Sequence, residues 1–547
     1  MYYTYKISTL VTCIMSSMPS GTQQERPTGG RIARAAGTIM AAFVFSNLVG
    51  LLAKTLTARA FGTGIESNAF FAANRFSEIL FNLVAGGALG SAFIPVFTGL
   101  LVEKQKERAW ELASSVSNIV AAVLIVFSLL TILFSKQIVR MILAPGFAGE
   151  EVKLTAQLLQ IQVISSVIFG LSGLVMGILN SHNHFLLPAI APAMYQLGWI
   201  FGIYFLAPGI GIFGLAWGVV AGSVLHLLIQ IPILMKLPDR FYKFQLGLHI
   251  PEVREVARLM APRVLGVAVV QLNFLVNTIL ASFQREGSIT ALGLAFPLMI
   301  MPEAAIAQSI AIASLPTFAG QVAKNQIGEM RSTLSGTLRS VIMLSLPATI
   351  GLVILRRPLI SLLYRGQAFG ENSTNLVAWA LLWYALGLVG HSIVEIISRA
   401  FYALHDTKTP VYVGIGAMSL NLGFSFLFTF LFSRAGWLPL GGLALANSAA
   451  TAVESVILTL LIRKRLNGLE GRSILISSVK SVISAAAMGG IVYSIYNTFS
   501  NISLGMNTAI SVLSGAISYG IILLILRTKE AMEIKRWLIN KMGLTTK

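Results

Sequence analysis

The sequence is poor in charge: Asp, Glu, Lys and Arg make up only 11% of its 547 residues, where a soluble domain carries about 25%. So few charges cannot cover a large water-facing surface, which excludes a big soluble enzyme and a disordered scaffold. Cysteine is almost missing. Cys13 stands alone, so no intrachain disulfide forms, and no CxxC or Cys/His metal spacing exists. His182 and His184 are an HxH pair without a third ligand. No Walker-type loop and no Ser/His/Asp or paired-carboxylate array is found, which argues against ATP hydrolysis and covalent chemistry. We therefore expect neither an enzyme nor a resident cofactor.

What the chain has is apolar length. Residues of the AVILMFWYC set make up 55% and mean hydropathy is +0.78. About fourteen apolar runs between residues 36 and 526 reach the roughly 20 residues that cross a bilayer. Two of them, 68–101 and 289–320, exceed one crossing and hold Pro95 and Pro316 near their ends. Ten-residue alternating segments are missing, so a barrel is excluded. The fold class is an all-α polytopic membrane protein of about fourteen transmembrane helices.

The chain carries 40 Lys+Arg against 21 Asp+Glu, a net +19. Placement explains the surplus. With the N-terminus in the cytoplasm, about 26 basic residues fall on cytoplasmic loops and tail, about 9 outside and about 5 within spans. Both termini are then cytoplasmic, and the basic loops touch anionic lipid. No basic patch sits on a soluble domain, so nucleic acid is not a partner. Residues 1–35 read as a disordered leader, with Ser16–Arg34 rich in Ser, Gly, Pro, Thr and Gln. The apolar stretch Ile7–Met15 lacks a convincing cleavage site, and a true start at Met18 or Met40 is the alternative.

Self-comparison finds a repeat. Ile94-Pro95-Val96-Phe97-Thr98-Gly99 returns 221 residues later as Leu315-Pro316-Thr317-Phe318-Ala319-Gly320. The turn Asn180–His184 before Pro188 returns, 222 residues on, as the turn before Pro410. Phe61 and Phe283 hold the same spacing. The expected organisation is an N-lobe of six helices over 36–235, a cytoplasmic linker over 236–258 and a C-lobe of six helices over 259–462. A helix pair over 463–527 and a basic tail over 528–547 follow. An even number of spans per repeat gives both lobes one orientation, the parallel-repeat plan of transporters that work by alternating access.

Several ordered stretches resemble the MurJ/MviN family of lipid II flippases, within the multidrug/oligosaccharidyl-lipid/polysaccharide exporter superfamily. They include Ser46–Gly50, Ala58–Gly64, Asn68–Ala73, Ala92–Val96, Gly177–Asn180 and Leu187–Ala189 in the first lobe. In the second lobe they include Leu265–Val267, Asn277–Phe283 and Arg399–Pro410. The resemblance implies a bacterial inner-membrane flippase that moves an undecaprenyl-pyrophosphate-linked peptidoglycan precursor outward. It also implies a cationic central cavity, two extra helices forming a groove for the lipid tail, and cell-wall synthesis proteins as partners. Coupling would be to membrane potential or a monovalent ion. An exporter of another polyprenyl-linked glycan or amphiphile, and a non-transporting partner of envelope assembly, are the alternatives.

Charges inside spans point to the site, because each costs about 2.5–3.5 kcal/mol to insert. The candidate cavity residues are Lys54, Arg75, Glu78, Asn47, Asn68, Arg263 and Glu303. Arg and Lys neutralise phosphate, Arg bidentately. Arg75 and Glu78 are three apart on one helix face, so they pair locally or Glu78 orients Arg75 toward cargo. Lys54 lines the cavity or snorkels to the interface. Glu395 and Arg399 read as a structural pair, and Glu303 has no local partner. The sequence departs from the family at its arginines. Asn47, Ala53, Phe81 or Asn82, and Pro297 stand where the family places them, and Asn68 replaces an acid. Lys54 and Arg75 are then the replacements.

Overall fold

The computed structural model describes residues 29–84, 88–533 and 536, all as helix, turn or loop, with no strand among them. Two compact units result: residues 1–289 with 366–368, and 290–365 with 369–547. Among the described residues, eleven helices are long and apolar enough to span a membrane, and twelve if the bent pair Glu371–Ala385 and Leu388–Ala403 is one span. Fourteen is not reached by that measure. The first two expected spans fall on the helices Gly29–Phe61, Ile65–Val84 and Ala88–Val102, which are not among the eleven; Ala92–Val102 is a shorter apolar helix.

In the first unit, α1 (Gly29–Phe61) is followed by α2 (Ile65–Val84), α3 (Ala88–Val102), α4 (Lys106–Leu133) and α5 (Gly149–Ser181). Next come α6 (Leu186–Phe201), α7 (Ile212–Leu228) and α8 (Pro251–Ser282). Their core is built on Phe93, Phe97, Trp110 and Leu112. α6 and α7 approach through glycine: a Cβ on Gly198 would lie 2.1 Å from the Gly222 Cα. Without a hydrophobic drive between helices in lipid, such close backbone packing holds spans together.

Several boundaries differ from the sequence expectation. Gly29 already begins α1, inside the expected leader, and residues 1–28 lie outside the described residues, as do Gly86 and Gly87. The 236–258 linker is not free. Asn118 donates to the carbonyls of Lys243 and Gln245 at 3.1 and 2.8 Å, and Lys243 pairs with Glu111 at 2.9 Å. α8 starts at Pro251, since a proline at the first helical turn sacrifices no hydrogen bond. α8 also packs against α2, α3 and α4, so the first compact unit extends past the repeat boundary at 259.

The second unit holds α9 (Ser288–Glu303, with its first two residues in the other unit), α10 (Ser309–Ala323), α11 (Ile327–Tyr364), α12 (Glu371–Ala385) and α13 (Leu388–Ala403). α14 (Lys408–Arg434), α15 (Leu440–Arg465), α16 (Gly471–Thr498) and α17 (Leu504–Ile525) complete it. α9 and α10 are one span interrupted by a π turn, Ala304–Gln308, immediately after Pro302 and Glu303. α16 and α17 pack on α11, where the Tyr519 hydroxyl donates to the Met343 carbonyl at 2.6 Å. Arg339 donates to Glu530 at 2.6 Å and to Glu470 at 3.1 Å. Glu530, within the expected tail, is buried; beyond residue 533 only Arg536 is described.

The repeat is visible in the turns themselves. Left-handed residues close the same turns in both units, Lys104 and Asn325 (221 apart), and Asn183 and His405 (222 apart).

Candidate functional site

A cluster of charge in the first unit lies between α1, α2 and α8. Arg75 Nη1 donates to Glu78 Oε2 at 2.7 Å, and Asn74 Nδ2 donates to Oε1 at 2.9 Å. Both carboxylate oxygens are therefore held. The spacing explains why: positions 74, 75 and 78 bring i,i+3 and i,i+4 partners onto one face of α2. The Arg75 guanidinium lies 5.1 Å from the ring centroid of Phe274 on α8, a cation–π contact. Lys54 on α1 is half-buried and within electrostatic reach of Glu78 and Arg75.

Two cations and one acid leave this cluster a net +1. It remains open, with 28% of the Arg75 side chain and 42% of Glu78 exposed. An i,i+3 pair this exposed contributes at most about 1 kcal/mol to stability. Its chemical capacity is to bind an anion: Lys54 supplies a point charge, and Arg75, oriented by Glu78 and Phe274, supplies further N–H donors.

The other expected residues are elsewhere. Asn47 is exposed on α1, two turns before Lys54. Asn68 is buried, and its Oδ1 accepts from the Ile289 N–H at 3.1 Å, so it anchors the first turn of α9. Arg263 is half-buried on α8, eleven residues before Phe274, with Nη1 buried and unpartnered. Glu303 belongs to the second unit. Two contributors escaped the sequence reading. Asn74 carried a signal, its i,i+4 spacing to Glu78. Phe274 carried none, being one apolar residue in an apolar helix.

A cavity of about 390 Å³ lies at the N-terminal end of α2, lined among others by Asn68, Glu150, Glu151, Ser282 and Glu286. Its three carboxylates make it unsuited to a pyrophosphate, so the cationic cluster is the better candidate. Among the described residues no three His, Cys, Asp or Glu converge to hold a metal.

The family model described as "Lipid II flippase MurJ" matches residues 57–513. The chain is 30% identical over 440 residues to the lipid II flippase MurJ of Burkholderia cenocepacia, covering 79% of this chain and 84% of that protein. It is 26% identical over 438 residues to a probable lipid II flippase MurJ of Vibrio cholerae, covering 78% and 82%. Among solved structures it is similar to a lipid II flippase MurJ in an inward closed conformation. That match has a TM-score of 0.75 at 26% identity and covers 89% of this chain and 98% of the other. An inward-facing multidrug resistance MATE transporter of the MOP superfamily shares the fold, with a TM-score of 0.66 at 16% identity over 77% of this chain and 94% of the other.

Proposed function

The chain belongs to the lipid II flippase MurJ family and is a membrane transporter of lipid II, and we propose that Lys54 and Arg75, held by Glu78, grip the cargo's pyrophosphate. The observation that carries this is the open net-positive cluster between α1, α2 and α8. The Arg75–Glu78 pair is too exposed to be explained by stability alone. Phe274 walls one side of the guanidinium and limits its rotamers, which reduces the ordering cost of binding. The polyprenyl tail stays in lipid while the headgroup crosses by alternating access of the two repeats.

Membrane potential supplies the driving force in this scheme. Loaded with pyrophosphate the site is net negative and moves outward down an inside-negative potential, worth about 2.3 kcal/mol per charge per 100 mV. Empty, it is net positive and returns inward down the same field. The location is the bacterial inner membrane with both termini cytoplasmic, as the basic loops demand. Its working partners are the cell-wall synthesis proteins that make lipid II inside and consume it outside.

A second reading, export of another polyprenyl-linked glycan, is favoured by one observation: the cluster holds only two cations. Depletion of the protein in cells lacking other flippases separates the two. Lipid II exposure on the outer leaflet falls if the cargo is lipid II, and stays constant if it is another glycan.

A further inference from the structure

Buried charge in the second unit is out of balance. Glu303 at the end of α9 is 4% exposed, and Glu395 and Arg399 on α13 are 8% and 3% exposed. The π turn after Glu303 brings Gln308 back beneath it, so that Gln308 Nε2 donates to Glu303 Oε2 at 3.3 Å. Arg399 Nη2 donates to Glu395 Oε1 at 2.7 Å, and its Nε is buried without a partner. Glu303 and Glu395 lie within electrostatic reach of each other, across the packing of the π turn on α13. Two buried carboxylates thus lie near one another, and the Arg399 guanidinium is taken up by Glu395.

Among the described residues, the helices packed on the π turn bring no second cation within ion-pair distance of Glu303 or Glu395. α10 has no charged residue, and α11 has none between Arg339 and Arg356. α15 adds a third carboxylate, Glu454, 4% exposed with Oε1 unpartnered. His391, one turn before Glu395, is taken up by Asn447 and Thr451 at 3.2 and 3.4 Å. An uncompensated carboxylate in so dry a place is too costly to remain ionised. A metal ion fits poorly, because each carboxylate is already held by an N–H donor and no three ligands converge among the described residues. A proton needs only one free oxygen.

We propose that Glu303, Glu395, Arg399 and Gln308 form a buried proton-binding site, in which Arg399 pairs with Glu395 and the proton resides on Glu303. Release of that proton leaves the Glu303 carboxylate in need of water, so the sealed packing of this unit is linked to proton occupancy. The role of that linkage in moving cargo rests on the transporter reading; the site itself does not.

The test is infrared spectroscopy of the full-length protein in lipid vesicles during a pH titration. The wild type shows the carbonyl stretch of protonated carboxylic acids, lost as pH rises. One component of that band is missing from E303Q and titrates at lower pH in E395Q, where the neighbouring negative charge is gone. E454Q retains this component and removes a separate one of its own buried carboxyl. A band unchanged in both E303Q and E395Q, or one that vanishes only in E454Q, overturns the proposal. So does displacement of the band by sodium at constant pH, which would mark a metal site. Should E303Q fail to accumulate, E395Q decides alone. No cargo is present, so failure here leaves lipid II transport standing, and failure to move lipid II leaves the band unchanged.

Discussion

Arg75 meets Glu78 at 2.7 Å with 28% and 42% of the two side chains exposed; Arg399 meets Glu395 at the same distance with 4% and 10% exposed. Both are local pairs on one helix, three and four residues apart. Their surroundings separate them. The first pair has water-accessible faces and a lysine nearby, so it can exchange a partner for a ligand. The second is sealed among apolar side chains and near another acid, so it can exchange only what a dry interior admits. Spacing along a helix predicts that two charges meet, and burial decides what the meeting does.

The contrast breaks most directly at the two arginines. R399M leaves Glu395 buried and unpaired, and is expected to cost about 3–5 kcal/mol. R75M is expected to cost less than about 1 kcal/mol. Thermal unfolding of purified protein measures both, and equal losses would erase the distinction. A second test asks whether the first unit depends on close packing rather than on its charges. G198L drives a side chain into the Gly222 backbone and is expected to lose about 1–3 kcal/mol or fail to accumulate. G266A meets nothing within 4 Å and is expected to stay within about 0.5 kcal/mol of wild type.

Asp406 tests a charge stabilised by hydrogen bonds alone. It accepts from the Thr409 backbone N–H at 3.0 Å and from its hydroxyl at 2.8 Å, at the start of α14. The Thr409 N–H holds its carboxyl below the usual aspartate value. A depressed folded value means the stabilisation is complete above the ordinary aspartate range and lost as pH falls through the lowered one. D406A is expected to cost about 1 kcal/mol at neutral pH and to remove that acid-side loss. The smallest effect belongs to Lys106 and Asp239, 2.6 Å apart but 53% and 54% exposed. K106A is expected to change stability by no more than about 0.5 kcal/mol, checked at low and high salt.

The architecture was legible because lipid forces it. Apolar runs, basic loops and a repeat held at one spacing from Ile94 to Pro410 all report the same constraint, and the left-handed turns at Asn183 and His405 preserve it in the backbone. Helix ends were less legible, since Pro251 and Gly29 extend helices beyond their apolar windows. The site was half legible. Lys54, Arg75 and Glu78 stood out as charges within spans, whereas Asn68 looked like a cavity residue and instead anchors α9. Phe274 was invisible, because only the folding of α8 against α2 gives one phenylalanine a guanidinium to face.

The central claim is that cargo is gripped in the first unit by Lys54 and Arg75. Translocation of lipid II by the K54M/R75M double variant in sealed vesicles, at equal protein and with an unfolding midpoint matching wild type, tests it most directly. Loss of two charge-assisted contacts of about 1.5–3 kcal/mol each is expected to slow translocation at least tenfold. Translocation at the wild-type rate would contradict the account.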